Sequence, residues 1–240
     1  WCRALLHRAG PDTGPSRGDW SRSWAEAELT AQEAIQAVLD GHPETNEPGV
    51  ARTVAGALPA GTTLVVSSSM PVRDLEWYAC PREGLRVLAN RGANGIDGVV
   101  STAVGVALAG EGHHGLLIGD LAFLHDTNGL LGLAQRGVDL TIVVVDNHGG
   151  GIFSFLPPAT ALARDRFEQL FGTPHSVDLA ALARLHGLEA TAVDEAAGLG
   201  PAVEEATAAG GVKVIVATTE RAANVAVHDE IHAEVARALG

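Results

Sequence analysis

Two residues that commonly bind metals, Asp120 and Asn147, stand 27 positions apart, each just beyond a short apolar run. The first run spans Gly115 to Gly119, and the second spans Thr141 to Val145 before Asp146. Three glycines, Gly149, Gly150 and Gly151, follow Asn147 at once. A carboxylate, an amide oxygen and carbonyls from a glycine-rich turn make an oxygen site for a hard cation such as Mg²⁺. That ion takes few protein ligands and shares its other positions with phosphate oxygens and water. Glycines let the backbone approach an anion closely. The chemistry this spacing points to is a metal-bridged diphosphate.

Such a pair works only if neighbouring strands deliver it. The stretch from Thr127 to Gly137 reads as a helix with Leu130, Leu131, Leu133 and Ala134 on one side, so strand, helix and strand form one crossover unit with parallel strands. Strands are expected at 62–66, 86–89, 190–193 and 212–217 as well, with helices at 24–39, 49–58, 99–109, 177–186, 195–209 and 222–239. The alternation predicts an α/β fold: a doubly wound, mainly parallel sheet with helices on both faces. Parallel strands bring Ser67 to Arg73, Asn90 to Ile96, Asp120 to Asn128 and Asn147 to Phe153 to one edge, where open sheets bind ligands. Arg73 and Arg91 are the basic residues of those loops. Each suits a substrate carboxylate, and each equally suits a surface ion pair, for instance with Asp74 or Asp97. Asp97 is placed to cap the helix at 99–109, and Asp126 and Asn128 read as caps of the helix they open. His113 and His114 fall at the opposite edge; His125 and His148 flank the loops without a partner at metal spacing. Residues 159–175 look irregular or partly helical, as a lid or partner-facing loop would.

With 240 residues, 46% of them hydrophobic, the chain can bury a large core. A net charge of −13 argues against nucleic acid as a partner. No apolar run is long enough to span a bilayer, and Cys2 and Cys80 show no metal or redox spacing, so a cytoplasmic setting is expected. Residues 1–40 read as the tail of a preceding central domain with a linker helix, and 41–240 as the ligand-binding domain. No nucleophile elbow, Walker loop or Cys-x-x-Cys occurs.

Gly119-Asp120 followed by Asp146-Asn147 resembles the thiamine-diphosphate motif, a Gly-Asp-Gly and a later Asn-Asn. Four blocks carry a narrower resemblance: Ser69 to Arg73, Asn90 to Gly98, Gly119 to Asp126, and Asn147 to Ser154. Together they look like the SEPHCHC synthase family of menaquinone biosynthesis, whose members condense decarboxylated 2-oxoglutarate with isochorismate. The resemblance implies thiamine diphosphate held through Mg²⁺, or Mn²⁺ in its place, by Asp120, Asn147 and the Gly149 carbonyl. It implies further cofactor contacts from Ser69, Asn94, Ile96, Gly119, Leu121, Ala122, Gly150 and Ile152, with Ile96 bending the cofactor from below. Substrate contacts would come from Arg73, Arg91, Ile152, Phe153 and Leu156. Leu121 stands where the general motif has Gly, and Asp146 replaces its first Asn. The family's activating glutamate comes from the N-terminal domain of a neighbouring subunit in a homodimer or tetramer, so no catalytic residue is assigned in this chain. Two alternatives remain: another thiamine-diphosphate enzyme of the acetolactate synthase or decarboxylase type, and a non-catalytic diphosphate-binding module.

Overall fold

The computed structural model describes residues 19–90 and 95–240. Six strands, all parallel, form one sheet in the order β2-β1-β3-β4-β6-β5. They are β1 (Thr63–Val66), β2 (Arg86–Ala89), β3 (His114–Gly119), β4 (Leu140–Asp146), β5 (Glu189–Val193) and β6 (Val212–Thr218). The central strands are apolar on both faces, as a doubly covered parallel sheet requires. Alternation sorts their side chains. Leu116, Ile118, Ile142 and Val144 face helix α4 (Val99–Ala109), which buries Val100, Ala103 and Val104 against them. Leu117, Val143 and Val145 face the other way, toward Val50 and Val54 of α2 (Glu47–Ala57) and Val203 of α9 (Ala196–Ala209). Each fully buried side chain of this size contributes about 1.5–3 kcal/mol. A Cβ on Gly115 would lie 3.0 Å from Leu58 and 3.1 Å from Leu64, so β3 and α2 pack tightly there.

Helix α1 (Asp19–Asp40) lies on the closing helix α10 (Arg221–Leu239), joined by Ile35, Val38, Leu39, Val227 and Ile231 around Tyr78 of α3 (Met70–Tyr78). The polar stretch after α1 is stitched to the sheet's end. Thr45 donates its backbone N–H to the Asp194 carbonyl and its hydroxyl to the Thr218 carbonyl.

The crossover between β3 and β4 departs from the single helix expected at 127–137. A short helix α5 (Asp120–His125) opens directly at the strand tip, followed by 3₁₀ turns at Thr127–Leu130 and Leu133–Gln135. Gly132 sits between the turns at φ +68°, a left-handed conformation that breaks a regular helix. Leu130 and Leu133 are buried as expected, while Leu131 and Ala134 are exposed. Two expected caps are also corrected. The cap of α4 is Gly98, which has no side chain to bond, and Asp97 lies 3.4 Å from His125. Asp126 makes no cap bond; its carboxylate accepts from Ser101 N and Oγ at 2.6 and 3.0 Å and ties the crossover to α4. Two helical turns, α6 (Pro158–Ala161) and α7 (Arg164–Phe167), and a π turn at Glu168–Gly172 make up most of the partly helical stretch at 159–175. Helix α8 (Leu179–Leu185) then leads into β5.

Candidate functional site

Strand β3 pairs in register with β4, Gly119 opposite Val145, so Asp120 and Asn147 emerge at neighbouring tips. Asp120 is 2% exposed. Its Oδ1 accepts the Leu121 N–H at 2.5 Å and its Oδ2 the Gly149 N–H at 2.8 Å. Burial pushes its carboxyl above the usual range, and these backbone donors work against that rise. One loop's acid is therefore clasped by the other loop's backbone.

Asn147 is also buried. Its Nδ2 donates to Glu47 Oε1 at 2.7 Å, while its Oδ1 is buried with no hydrogen-bond partner. A buried amide oxygen without a donor is costly unless something else completes it. Beside the Asp120 carboxylate it makes a set of hard oxygen donors, the chemistry of Mg²⁺. The glycines after Asn147 are required by crowding. At Gly149, φ is +149° and a Cβ would fall 2.2 Å from the Gly172 carbonyl oxygen; at Gly151 a Cβ would fall 2.5 Å from Asn147 Nδ2. Gly150 N–H donates to that same Gly172 carbonyl at 2.8 Å.

A cavity of about 860 Å³ opens above these tips, beside the point where the chain reverses from β2 back to β3. Of the residues expected to meet a cofactor, Ser69, Ile96, Gly119, Asp120, Leu121 and Ala122 line it, as do Asn147, Gly149, Gly150 and Ile152. Arg73 and Phe153 line it as well. Leu156 does not; it is an exposed residue beyond the lip. Arg91 and Asn94 lie outside the described residues. Arg73 is exposed and donates Nη1 to the Ser69 carbonyl at 2.6 Å, while Asp74 turns inward to His228. Ser69 holds φ +77°, a strained setting for a residue with a side chain, at the start of α3.

Several polar residues at the site had no motif to reveal them. Glu47, 2% exposed, lines the cavity, and burial together with nearby Asp74 raises its carboxyl to about 8. Asp74 and His228, both 1% exposed, pair at 2.8 Å. Burial pushes Asp74 up; His228, which burial alone would depress, is raised by its bond to Asp74. The ligand atoms of Asp146, His148 and His175 lie within 4.8 Å of one another. His175 Nδ1 accepts the Val177 N–H at 3.3 Å, and its Nε2 lies 3.2 Å from Asp120 Oδ2. The only sequence signal near Glu47 is the helix start it belongs to, Asn46 capping Gly49 N ahead of Pro48.

A doubly wound sheet with an acid and an amide at adjacent tips, over a cavity at the reversal point, defines a diphosphate-binding domain, and comparison with known proteins agrees. The family described as "Thiamine pyrophosphate enzyme, C-terminal TPP binding domain" matches residues 74–217, and the chain belongs to it. Among curated relatives, it is 47% identical over 225 residues to the 2-succinyl-5-enolpyruvyl-6-hydroxy-3-cyclohexene-1-carboxylate (SEPHCHC) synthase of Myxococcus xanthus, covering 93% of this chain and 38% of that protein. The enzyme of the same name from Saccharopolyspora erythraea is 43% identical over 238 residues, covering 99% and 42%. The chain thus spans about two fifths of the length of these relatives. Among solved structures, a thiamine diphosphate-dependent 4-hydroxybenzoylformate decarboxylase from Rhodococcus jostii RHA1 superposes with a TM-score of 0.59 at 21% identity, over 74% of this chain and 33% of that one. The benzoylformate decarboxylase of Polynucleobacter necessarius gives 0.56 at 21%, over 72% and 32%. These two establish the fold alone.

Proposed function

We propose that this chain is the diphosphate-binding part of a Mg²⁺-dependent SEPHCHC synthase, which decarboxylates 2-oxoglutarate and adds the resulting four-carbon unit to isochorismate. The observation that carries the reading is the pair of neighbouring tips, with Asn147 Oδ1 lacking a partner beside the buried Asp120 carboxylate. Asp120, Asn147 and the Gly149 carbonyl hold the metal, with Mn²⁺ able to replace Mg²⁺. Ser69, Asn94, Gly119, Leu121, Ala122, Gly150 and Ile152 contact the cofactor, and Ile96 supports it from below. Thiamine diphosphate, when bound, supplies a nucleophilic carbon and an electron sink. The chain's own share is to orient and to exclude water. Ile152 and Phe153 wall the cavity. Arg73, with Arg91, binds carboxylates of the two acidic substrates, a necessary local positive charge in a chain of net charge −13. Leu156 forms the outer edge of the substrate entry.

The remaining length of the relatives carries the activating glutamate, delivered from a neighbouring subunit of a homodimer or tetramer. We read residues 1–40 as the tail of a preceding central domain with a linker helix, α1, that packs onto the binding domain formed by 41–240. No described helix is long and apolar enough to cross a membrane, and Cys80 is free among the described residues; a cytoplasmic location is part of the proposal.

Calorimetric titration of thiamine diphosphate with Mg²⁺ into the full-length protein tests the reading. Asp120→Asn should abolish the metal-dependent binding; unchanged affinity defeats the ligand role. Arg73→Ala should lower turnover of 2-oxoglutarate and isochorismate at least about tenfold, the loss of one charged hydrogen bond, while leaving cofactor affinity within about twofold. Equal losses of both count against the assignment. Turnover of pyruvate or benzoylformate in place of isochorismate and 2-oxoglutarate would move the protein to the decarboxylase type.

A further inference from the structure

Asn147 can serve a cation only by its oxygen; turned by 180°, the same side chain presents an NH₂ group and repels the ion. Backbone geometry does not choose between the two orientations, because the amide is nearly symmetric in shape. The choice is made behind it. Nδ2 points at Glu47 Oε1, 2.7 Å away, in a pocket where both residues are buried. We propose that Glu47 is a positioning residue for the metal site, fixing the Asn147 amide so that Oδ1 faces the ion. This inference rests on the function proposed above.

Glu47 is itself held from several sides. Its backbone N–H donates to Asn224 Oδ1 at 3.2 Å, and the Asn224 N–H donates to the carbonyl of Glu220, the residue that caps α10, at 2.8 Å. The Asn46 side chain accepts the Gly49 N–H at 2.8 Å and Pro48 sets the first helical turn, so the residue sits at a rigid helix start. On the far side of the amide, Gly151 leaves room that no other residue would: its Cβ would fall 2.5 Å from Asn147 Nδ2 and 3.5 Å from Glu47 Oε1. The Nδ2 end is enclosed and paired, and the Oδ1 end is the one without a protein donor. Groups that orient a metal ligand from behind typically contribute 10- to 100-fold to metal affinity. Glu47 also lies at the cavity wall, which raises the rival idea that it exchanges a proton with a bound molecule.

The test uses the full-length protein with thiamine diphosphate and Mn²⁺ as probe, reading free Mn²⁺ by electron paramagnetic resonance. Glu47→Ala should weaken Mn²⁺ retention about 10- to 100-fold, and Glu47→Gln, which keeps an acceptor oxygen in the same shape, should stay within about threefold of wild type. Equal retention by Glu47→Ala and wild type overturns the inference. So does a Glu47→Gln protein that holds Mn²⁺ normally but loses turnover, which makes the carboxyl a proton-transfer group instead. If Glu47→Ala does not fold, Glu47→Leu fills the space, and Asn147→Asp is added to it. A carboxylate offers oxygen at both ends, so the double variant should regain Mn²⁺ retention lost in Glu47→Leu; no recovery overturns the inference. A wild-type protein that retains no Mn²⁺ with the cofactor sinks the proposed function itself.

Discussion

Glu47 and Asp74 are both buried acids on the same side of the sheet, close enough that Asp74 raises the proton affinity of Glu47, yet they are treated differently. Asp74 has a buried imidazole partner, His228, which is anchored in turn by the Asn224 carbonyl at 2.8 Å. The Glu47 side chain has only the amide of Asn147 as a partner, and burial with nearby Asp74 pushes its carboxyl up to about 8. A paired buried charge is a structural brace whose loss strands its partner. A buried carboxyl paired with an amide is a hydrogen-bonding frame, and its worth lies in what it orients. The first joins α3 to α10; the second joins α2 to the loop that carries Asn147.

The sharpest way to break the comparison is His228→Asn, which leaves Asp74 buried without its imidazole partner. It should cost about 3–5 kcal/mol at neutral pH by chemical denaturation; a loss under about 1 kcal/mol would make the brace no different from the frame. Gly151→Ala attacks the frame by driving a methyl into Asn147 Nδ2, and overpacking of that kind should cost about 1–3 kcal/mol along with metal retention. Intact stability and retention would show that the amide can move aside.

Next comes pH. Both members of the pair have raised folded values, so the folded chain binds their protons more tightly than the unfolded one. Stability therefore falls as pH rises: the Asp74 part is lost progressively above its ordinary 3.8, and the His228 part is fully present below 6.5 and lost as pH climbs through its raised value. The double variant Asp74→Asn, His228→Asn should show a flatter slope above the ordinary carboxyl value of 3.8 and lose less stability than His228→Asn alone. An unchanged slope would mean other groups set it. The smallest effect belongs to Glu47→Gln, which strands no charge and should change stability by less than about 1 kcal/mol.

What could be read from the chain in advance follows how far apart the cooperating residues lie. Strand alternation and the polar tips depend on neighbours in sequence, so the parallel sheet and the adjacency of Asp120 and Asn147 were open to inspection. The crossover defeats a reading by periodicity because Leu130 and Leu133 keep a helical rhythm while Gly132, at φ +68°, breaks the helix between them. Glu47 meets Asn147 across 100 positions and Asp74 meets His228 across 154, and no local pattern announces either contact. His175 was hidden for the same reason: its approach to Asp120 depends on the path of the partly helical stretch before it.

The carbonyl of Gly172 occupies the place where a side chain on Gly149 would be, and it takes the N–H of the next residue as well. Two distant loops are riveted backbone to backbone across the entrance. A Cβ on either glycine would meet another atom at 2.2 Å, so any descendant of this chain that alters one of them must rebuild both loops together.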